Sequence, residues 1–332
     1  MHSIDLSKYS IRTDLIIENK PSDYQTKKEV IENITVEKTT TKTNNKLYTT
    51  ISFDDVTDKD KFQKVEHIFT TNLNEYLNSI NLQETDSVLI VGLGNEKSTP
   101  DSLGPIAIKQ VLVTKYLFDL GEVEEGYQKT SAFAPSVTSI TGIETSEIIK
   151  NLINTINAKL LIVIDALASS SLSRLNKTIQ ITNTGIHPGS GVGNNRKELT
   201  EKTLGIPVIA IGVPTVVDAS TIVADTFTYL NKHFSFKINN INNQKLKLVP
   251  YNKLDYSNEQ PLDEHTKKDL LGEIGTLSES EFKQLINEVL SPINYNLMVT
   301  PTEIDFIINK LGLLIGNGIN KTLHKKLSST KN

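Results

Sequence analysis

Through the middle of the chain, short and unbroken apolar runs alternate with stretches whose apolar positions recur at helical spacing. Residues 87–91 (SVLIV), 160–164 (LLIVI) and 208–211 (VIAI) are too short for helices and too apolar for half-exposed strands, so each is predicted to be a strand buried on both faces. Residues 178–182 (TIQIT) make a further strand, and Gly212-Val213-Pro214 is expected to end the run before it. Helices are predicted between them. Pro105 suits a first helical turn ahead of Ile106, Ile108, Val111, Leu112 and Leu117, and residues 143–157 place Ile148, Ile149, Leu152, Ile153 and Ile156 on one side. Strand and helix in alternation predict an α/β fold: a mostly parallel twisted sheet with helices on both faces.

The flanks read differently. Residues 1–30 are polar with scattered apolar positions and are expected to form an arm. Residues 33–39 and 46–53 are rich in β-branched and aromatic residues around Thr43-Asn44-Asn45, the pattern of a hairpin, hence a small N-terminal β-rich subdomain. Val65, Phe69, Leu73 and Leu77 give a helix over 60–80. Residues 236–275 are Asn- and Lys-rich with weak periodicity and are expected to be an insertion or long connection. Two C-terminal helices follow within 276–325. Ser278 and Glu281 form a capping box for the first, and Thr300, Pro301 and Glu303 open the second.

Composition narrows the class. In 332 residues, 35 Lys+Arg stand against 39 Asp+Glu, so there is no basic field to attract nucleic acid. With no cysteine, a thiol nucleophile, disulfides and zinc–thiolate sites are excluded, and a reducing intracellular setting is expected. Neither an export signal nor a membrane span is indicated. Arginine occurs only at 12, 174 and 196. A guanidinium fork holds a carboxylate as an ammonium cannot, which makes Arg174 and Arg196 candidates for an acidic substrate residue and Arg12 a candidate partner of an active-site acid.

The candidate chemistry centres on Asp101 and Asp165, each placed just beyond a predicted strand, where open α/β sheets form their ligand crevice. Two close carboxylates do not both ionise readily, so one activates water while its neutral partner polarises a carbonyl. Either residue also suits a cap at the start of a helix. The loop 183–197 carries His187, Gly189, Gly191 and Gly193, and its glycines admit a ligand's main chain. It completes neither a phosphate-binding nor a dinucleotide motif, and Pro188 stands where a serine-nucleophile elbow needs glycine. Asp101, Asp165 and His187 together would suit a divalent cation in a metal-assisted peptidase. A non-catalytic peptide-binding assembly module is the reading outside enzymes.

The blocks at 92–105 (GLGNEKSTPDSLGP), 141–145 (TGIET), 164–168 (IDALA) and 184–194 (TGIHPGSGVGN), with YSIRTDL at 9–15, resemble the spore germination protease family. A more distant similarity is to hydrogenase-maturation endopeptidases. The first resemblance implies an endopeptidase that degrades small acid-soluble spore proteins after acidic residues, with DNA a bystander; with the charge and hydropathy above, no cofactor and no contact with nucleic acid or membrane are expected. It implies a homotetramer in the cytoplasm of the developing spore and in the spore core. It also implies a zymogen that cuts itself between Asp14 and Leu15, with Asp101 and Asp165 as the essential aspartates. The expected organisation is then a propeptide (1–14), an arm with the β-rich subdomain (15–80), a catalytic domain (81–235), the connection (236–275) and the C-terminal helices (276–325). Serines at 169–171 and 173 precede Arg174, a departure from the commoner family pattern.

Overall fold

A computed structural model describes residues 13–41, 46–188, 197–243, 259–290 and 297–329; Arg12, Gly189, Gly191 and Arg196 lie outside them. The described chain forms two compact units. The larger takes in residues 13–169, 173–216 and 300–329, and the smaller 170–172 with the described residues between 217 and 299.

The larger unit opens with β1 (Tyr24–Ile31), β2 (Ile34–Thr41) and β3 (Leu47–Ser52), an antiparallel meander. β1 falls in the stretch expected to be an arm. Its side chains are almost all exposed, so no apolar alternation marks it, and it is set by a two-residue turn in which Glu32 and Asn33 both take positive φ. Helix α1 (Lys59–Asn78) follows, capped by the Asp58 carboxylate on the amides of Asp60 and Lys61. Then come β4 (Ser87–Gly92), α2 (Leu103–Ile108), α3 (Lys115–Leu120), β5 (Lys129–Phe133), α4 (Thr138–Thr141), α5 (Thr145–Ile156), β6 (Ala158–Ser169), β7 (Thr178–Thr182), α6 (Glu201–Leu204) and β8 (Val208–Asp218).

The strands lie in the order β1-β2-β3-β7-β8-β6-β4-β5. β4 pairs in parallel with both β5 and β6, whereas β3–β7 and β7–β8 are antiparallel. The sheet is therefore mixed, not mostly parallel. The N-terminal strands extend it through β3, because β3 pairs with β7 along residues 48–52.

Alternation along the central strands separates two cores. Val88, Ile90, Leu160, Ile162, Ile164, Ile209 and Ile211 face α1, α2 and α10 (Ile304–Leu323). Leu89, Val91, Leu161, Val163 and Val208 face Ile149 and Ile153 of α5 and Leu204 of α6. Both faces are covered, which is why these strands read as unbroken apolar runs. Two expectations fail locally. The helix expected over 105–117 splits into α2 and α3, because residues 112–114 bond to the β5 edge: Thr114 Oγ1 donates to Gln128 O at 2.6 Å and Thr130 Oγ1 to Leu112 O at 2.7 Å. Nor does Pro214 end β8, since its carbonyl accepts the Asn176 amide at 2.8 Å and the strand runs on to Asp218.

In the smaller unit, Asp218 caps α7 (Ala219–Asn239) through the Ser220 amide at 2.8 Å. The connection expected over 236–275 contains α8 (Glu264–Leu271) and the end of α7. Ser278 and Glu281 make the expected capping box on α9 (Glu279–Leu290), and Phe227 stacks on Phe282 with centroids 4.3 Å apart. β9 (Met298–Val299) pairs with the last residues of β8. α10 has no side-chain cap; Thr300 Oγ1 donates instead to Thr215 O at 2.8 Å.

α10 ends at His324, ahead of α11 (Lys325–Ser329). The imidazole is fully buried: Nδ1 accepts the Gln128 amide at 3.2 Å, which leaves Nε2–H to donate to Leu112 O at 3.3 Å. Burial holds its pKa below the ordinary histidine value, against a smaller opposing effect of the Leu112 carbonyl. The unfolded chain therefore binds a proton at higher pH than the folded one does. Stability contributed by the neutral ring is complete above about pH 6.5 and declines as pH falls from there towards the folded pKa. Urea unfolding at stepped pH is expected to show that decline, with a shallower slope in His324→Gln.

Candidate active site

β4 stops at Gly92 because α2 must pass directly over it. A Cβ on Gly104 would lie 2.3 Å from the Leu93 carbonyl oxygen, and one on Gly92 would lie 2.2 Å from that of Gly104, so only glycine permits the approach. The chain between them folds into a compact turn. Gly94 takes φ +107°, and the Asn95 amide is shared between the Asp101 carbonyl at 3.1 Å and Asp101 Oδ2 at 2.8 Å. Asp101 closes a single 3₁₀ turn, Thr99–Asp101, and the residue at the start of α2 is Ser102. Thr215 of β8, fully buried, donates its hydroxyl to the Pro100 carbonyl at 2.7 Å. The Asp101 turn is thus tied to β8 and packs against β6, the strand that carries Asp165.

Asp165 is nearly buried inside β6, one residue past the last β4 pairing at Gly92–Ile164. Alternation gives it the same face as Leu161, Val163 and Leu167. Beyond that pairing β6 runs five residues further than its neighbour. The Leu93 amide takes the Ile164 carbonyl at 2.8 Å. Ala168, four residues on and so directed to the same edge, is met by Asp14: the Asp14 amide donates to Ala168 O at 3.0 Å, and Asp14 Oδ2 accepts the Ala168 amide at 2.8 Å.

The Asp14–Leu15 junction is held on both sides. The Gln180 side-chain amide donates Nε2–H to the Asp14 carbonyl at 3.1 Å and accepts the Ile16 amide on Oε1 at 2.8 Å. Leu15 is buried at 1 % exposure. The Glu18 carboxylate accepts the hydroxyls of Thr13 and of Ser169, the latter at 2.6 Å, and pairs with Arg174 Nε at 3.3 Å. Arg174, expected to bind an acidic substrate residue, is therefore engaged by an acid of its own chain.

Asp14, Leu167, Gln180, Gly212 and His187 line an open cavity of about 930 Å³, and its lining includes neither Asp101 nor Asp165. His187 is exposed and pairs through Nε2 with Glu198 at 2.9 Å. Among the described residues no three of His, Cys, Asp and Glu converge to hold an ion, so the structure does not gather Asp101, Asp165 and His187 into a metal set. Nor is any described helix long and apolar enough to cross a membrane.

A model of the germination protease family matches residues 7–332. The chain belongs to that family. It is 43% identical to the germination protease of Bacillus cereus (strain G9842), over 98% of this chain and 96% of that protein. It is 49% identical to that of Bacillus subtilis (strain 168), over 82% of this chain and 75% of that protein. Among solved structures, the [NiFe] hydrogenase maturation protease HycI of Thermococcus kodakarensis KOD1 is 15% identical over 39% of this chain and 74% of that one, with a TM-score of 0.25, too slight a likeness to argue from. As a germination protease, the protein is an endopeptidase of spore germination.

Sequence reasoning did not find Thr215, Gln180 or Ala168. Each is an ordinary strand residue in the sequence, and only strand order brings it to the Asp101 turn or to the Asp14–Leu15 junction. Thr215→Val removes the donor to Pro100 O and is expected to cost about 1 kcal/mol of stability. By loosening the Asp101 turn it is also expected to lower peptidase activity by roughly tenfold or more, which parallel denaturation and peptide-cleavage assays check.

Proposed function

We propose that this germination protease is a self-processing zymogen that cleaves its own Asp14–Leu15 bond and then hydrolyses small acid-soluble spore proteins after acidic residues. The observation that carries the reading is the docking of that junction on Ala168 of β6, three residues along the strand from Asp165, the strand against which the Asp101 turn also packs. An acid followed by a buried leucine, its peptide groups engaged by the Ala168 backbone and by the Gln180 side-chain amide, is how a peptidase holds a substrate.

In the proposed reaction, Asp101 and Asp165 share one proton. The charged carboxylate takes a proton from water, whose oxygen adds to the Asp14 carbonyl carbon. The neutral one then protonates the Leu15 nitrogen as the C–N bond breaks. Water is consumed, a carboxylic acid and an amine are formed, and the aspartate pair again holds one proton. By family resemblance, the assembly in this reading is a homotetramer working in the cytoplasm of the developing spore and in the spore core, on protein substrates and not on nucleic acid. The near balance of charge supports that choice of partner.

Mass spectrometry of the purified full chain over time tests the reading. The parent is expected to lose residues 1–14, while Asp101→Asn and Asp165→Asn stay intact with unfolding temperatures close to the parent's. Cleavage at the parental rate in either variant contradicts the two-aspartate assignment.

A further inference from the structure

Gln180 is a polar residue in a strand whose neighbours Ile179 and Ile181 are buried in the larger core. Its side chain projects from the opposite face, the one that alternation along β6 also gives to Asp165 and Leu167. Gly212 of β8 lies opposite it in register and has no side chain to obstruct its reach. At 6 % exposure, a buried amide needs partners for both ends. It finds them on either side of Leu15: the carbonyl oxygen of Asp14 at 3.1 Å and the amide nitrogen of Ile16 at 2.8 Å. One of these two atoms is the carbonyl oxygen of the bond assigned above as the one that is cut.

Taking Asp14–Leu15 as that bond, we infer that Gln180 is a catalytic residue whose Nε2–H polarises the scissile carbonyl and then holds the oxyanion. When water oxygen adds to the Asp14 carbon, the carbonyl π electrons move onto the oxygen already hydrogen-bonded by Gln180. On collapse they return as the bond to Leu15 N breaks, and the proton released by water and the one delivered to nitrogen pass through the aspartates. With the carbonyl served by Gln180, the neutral aspartic acid is left to donate to the leaving nitrogen. The Oε1–Ile16 bond has a different task. It fixes the amide plane, so that the Nε2–H stays directed at the Asp14 oxygen and does not rotate away. The Ala168 amide on the Asp14 carboxylate supplies the matching preference for an acid before the cut. A neutral residue of the same length leaves that amide with a weaker acceptor.

The test is self-processing of the full chain, followed by mass spectrometry, in Gln180→Glu and Gln180→Ala beside the parent and Asp101→Asn. Gln180→Glu is nearly isosteric and keeps an acceptor for Ile16, so hydrogen exchange at the Ile16 amide reports whether the junction stays docked. The expected result is cutting slowed about 100- to 1,000-fold in both Gln180 variants, the range seen when one oxyanion donor is removed, with Ile16 protection kept in Gln180→Glu. Cutting within threefold of the parent in either Gln180 variant overturns the assignment of Gln180. So does slow cutting accompanied by lost Ile16 protection in Gln180→Glu, which assigns the residue to docking alone. Cutting by Asp101→Asn at the parental rate overturns the two-aspartate reading instead, whatever the Gln180 variants do.

Discussion

The arrangement depends on one mismatch of length: β6 runs five residues past the end of β4. A strand that outlasts its neighbour presents backbone donors and acceptors that must be paired, because buried peptide groups left alone cost on the order of 1–3 kcal/mol each. Two segments of this chain meet that demand. Leu93, at the head of the Asp101 turn, takes Ile164, and Asp14 takes both groups of Ala168. The same unpaired edge thus organises the loop bearing one aspartate and receives the segment proposed for cleavage, with the second aspartate on the strand itself.

The close contact of Gly92 with Gly104 explains why β4 ends where it does. It brings α2 across the strand end and folds the intervening residues 93–103 tightly, and Thr215 anchors that turn to the next strand but one. Asp101 is thereby fixed by its own backbone, by the Asn95 amide and by a buried hydroxyl two strands away. A carboxylate held this firmly suits proton transfer at a defined position, since catalytic groups act within a few tenths of an ångström of their working geometry.

Much of this was legible in the sequence where burial is two-sided. The runs at 87–91, 160–164 and 208–211 identified β4, β6 and β8 because both faces of each are covered, and α1, α5 and α9 followed from apolar spacing and from the Ser278–Glu281 box. What escaped was set by partners distant in sequence. β1 is polar and exists through its pairing with β2. The helix after Asp101 breaks because Thr114 prefers the β5 edge, and Pro214 is tolerated inside β8 because its carbonyl, not an amide, is what the neighbouring chain uses. The pairing of Arg174 with Glu18 was equally hidden, because the two are 156 positions apart in the chain. Gln180 was hidden by the same distance: nothing in TIQIT announces a contact with residue 14.

The claim on which the rest turns is that Asp101 and Asp165 act on one water at the end of β6. A neutron or sub-ångström X-ray structure of the full chain tests it most directly, by locating that water and the proton the pair shares. The account predicts a single ordered water within hydrogen-bonding distance of both carboxylates, with one proton between them. Carboxylates separated by the sheet, each with its own solvent and no common water, would contradict it.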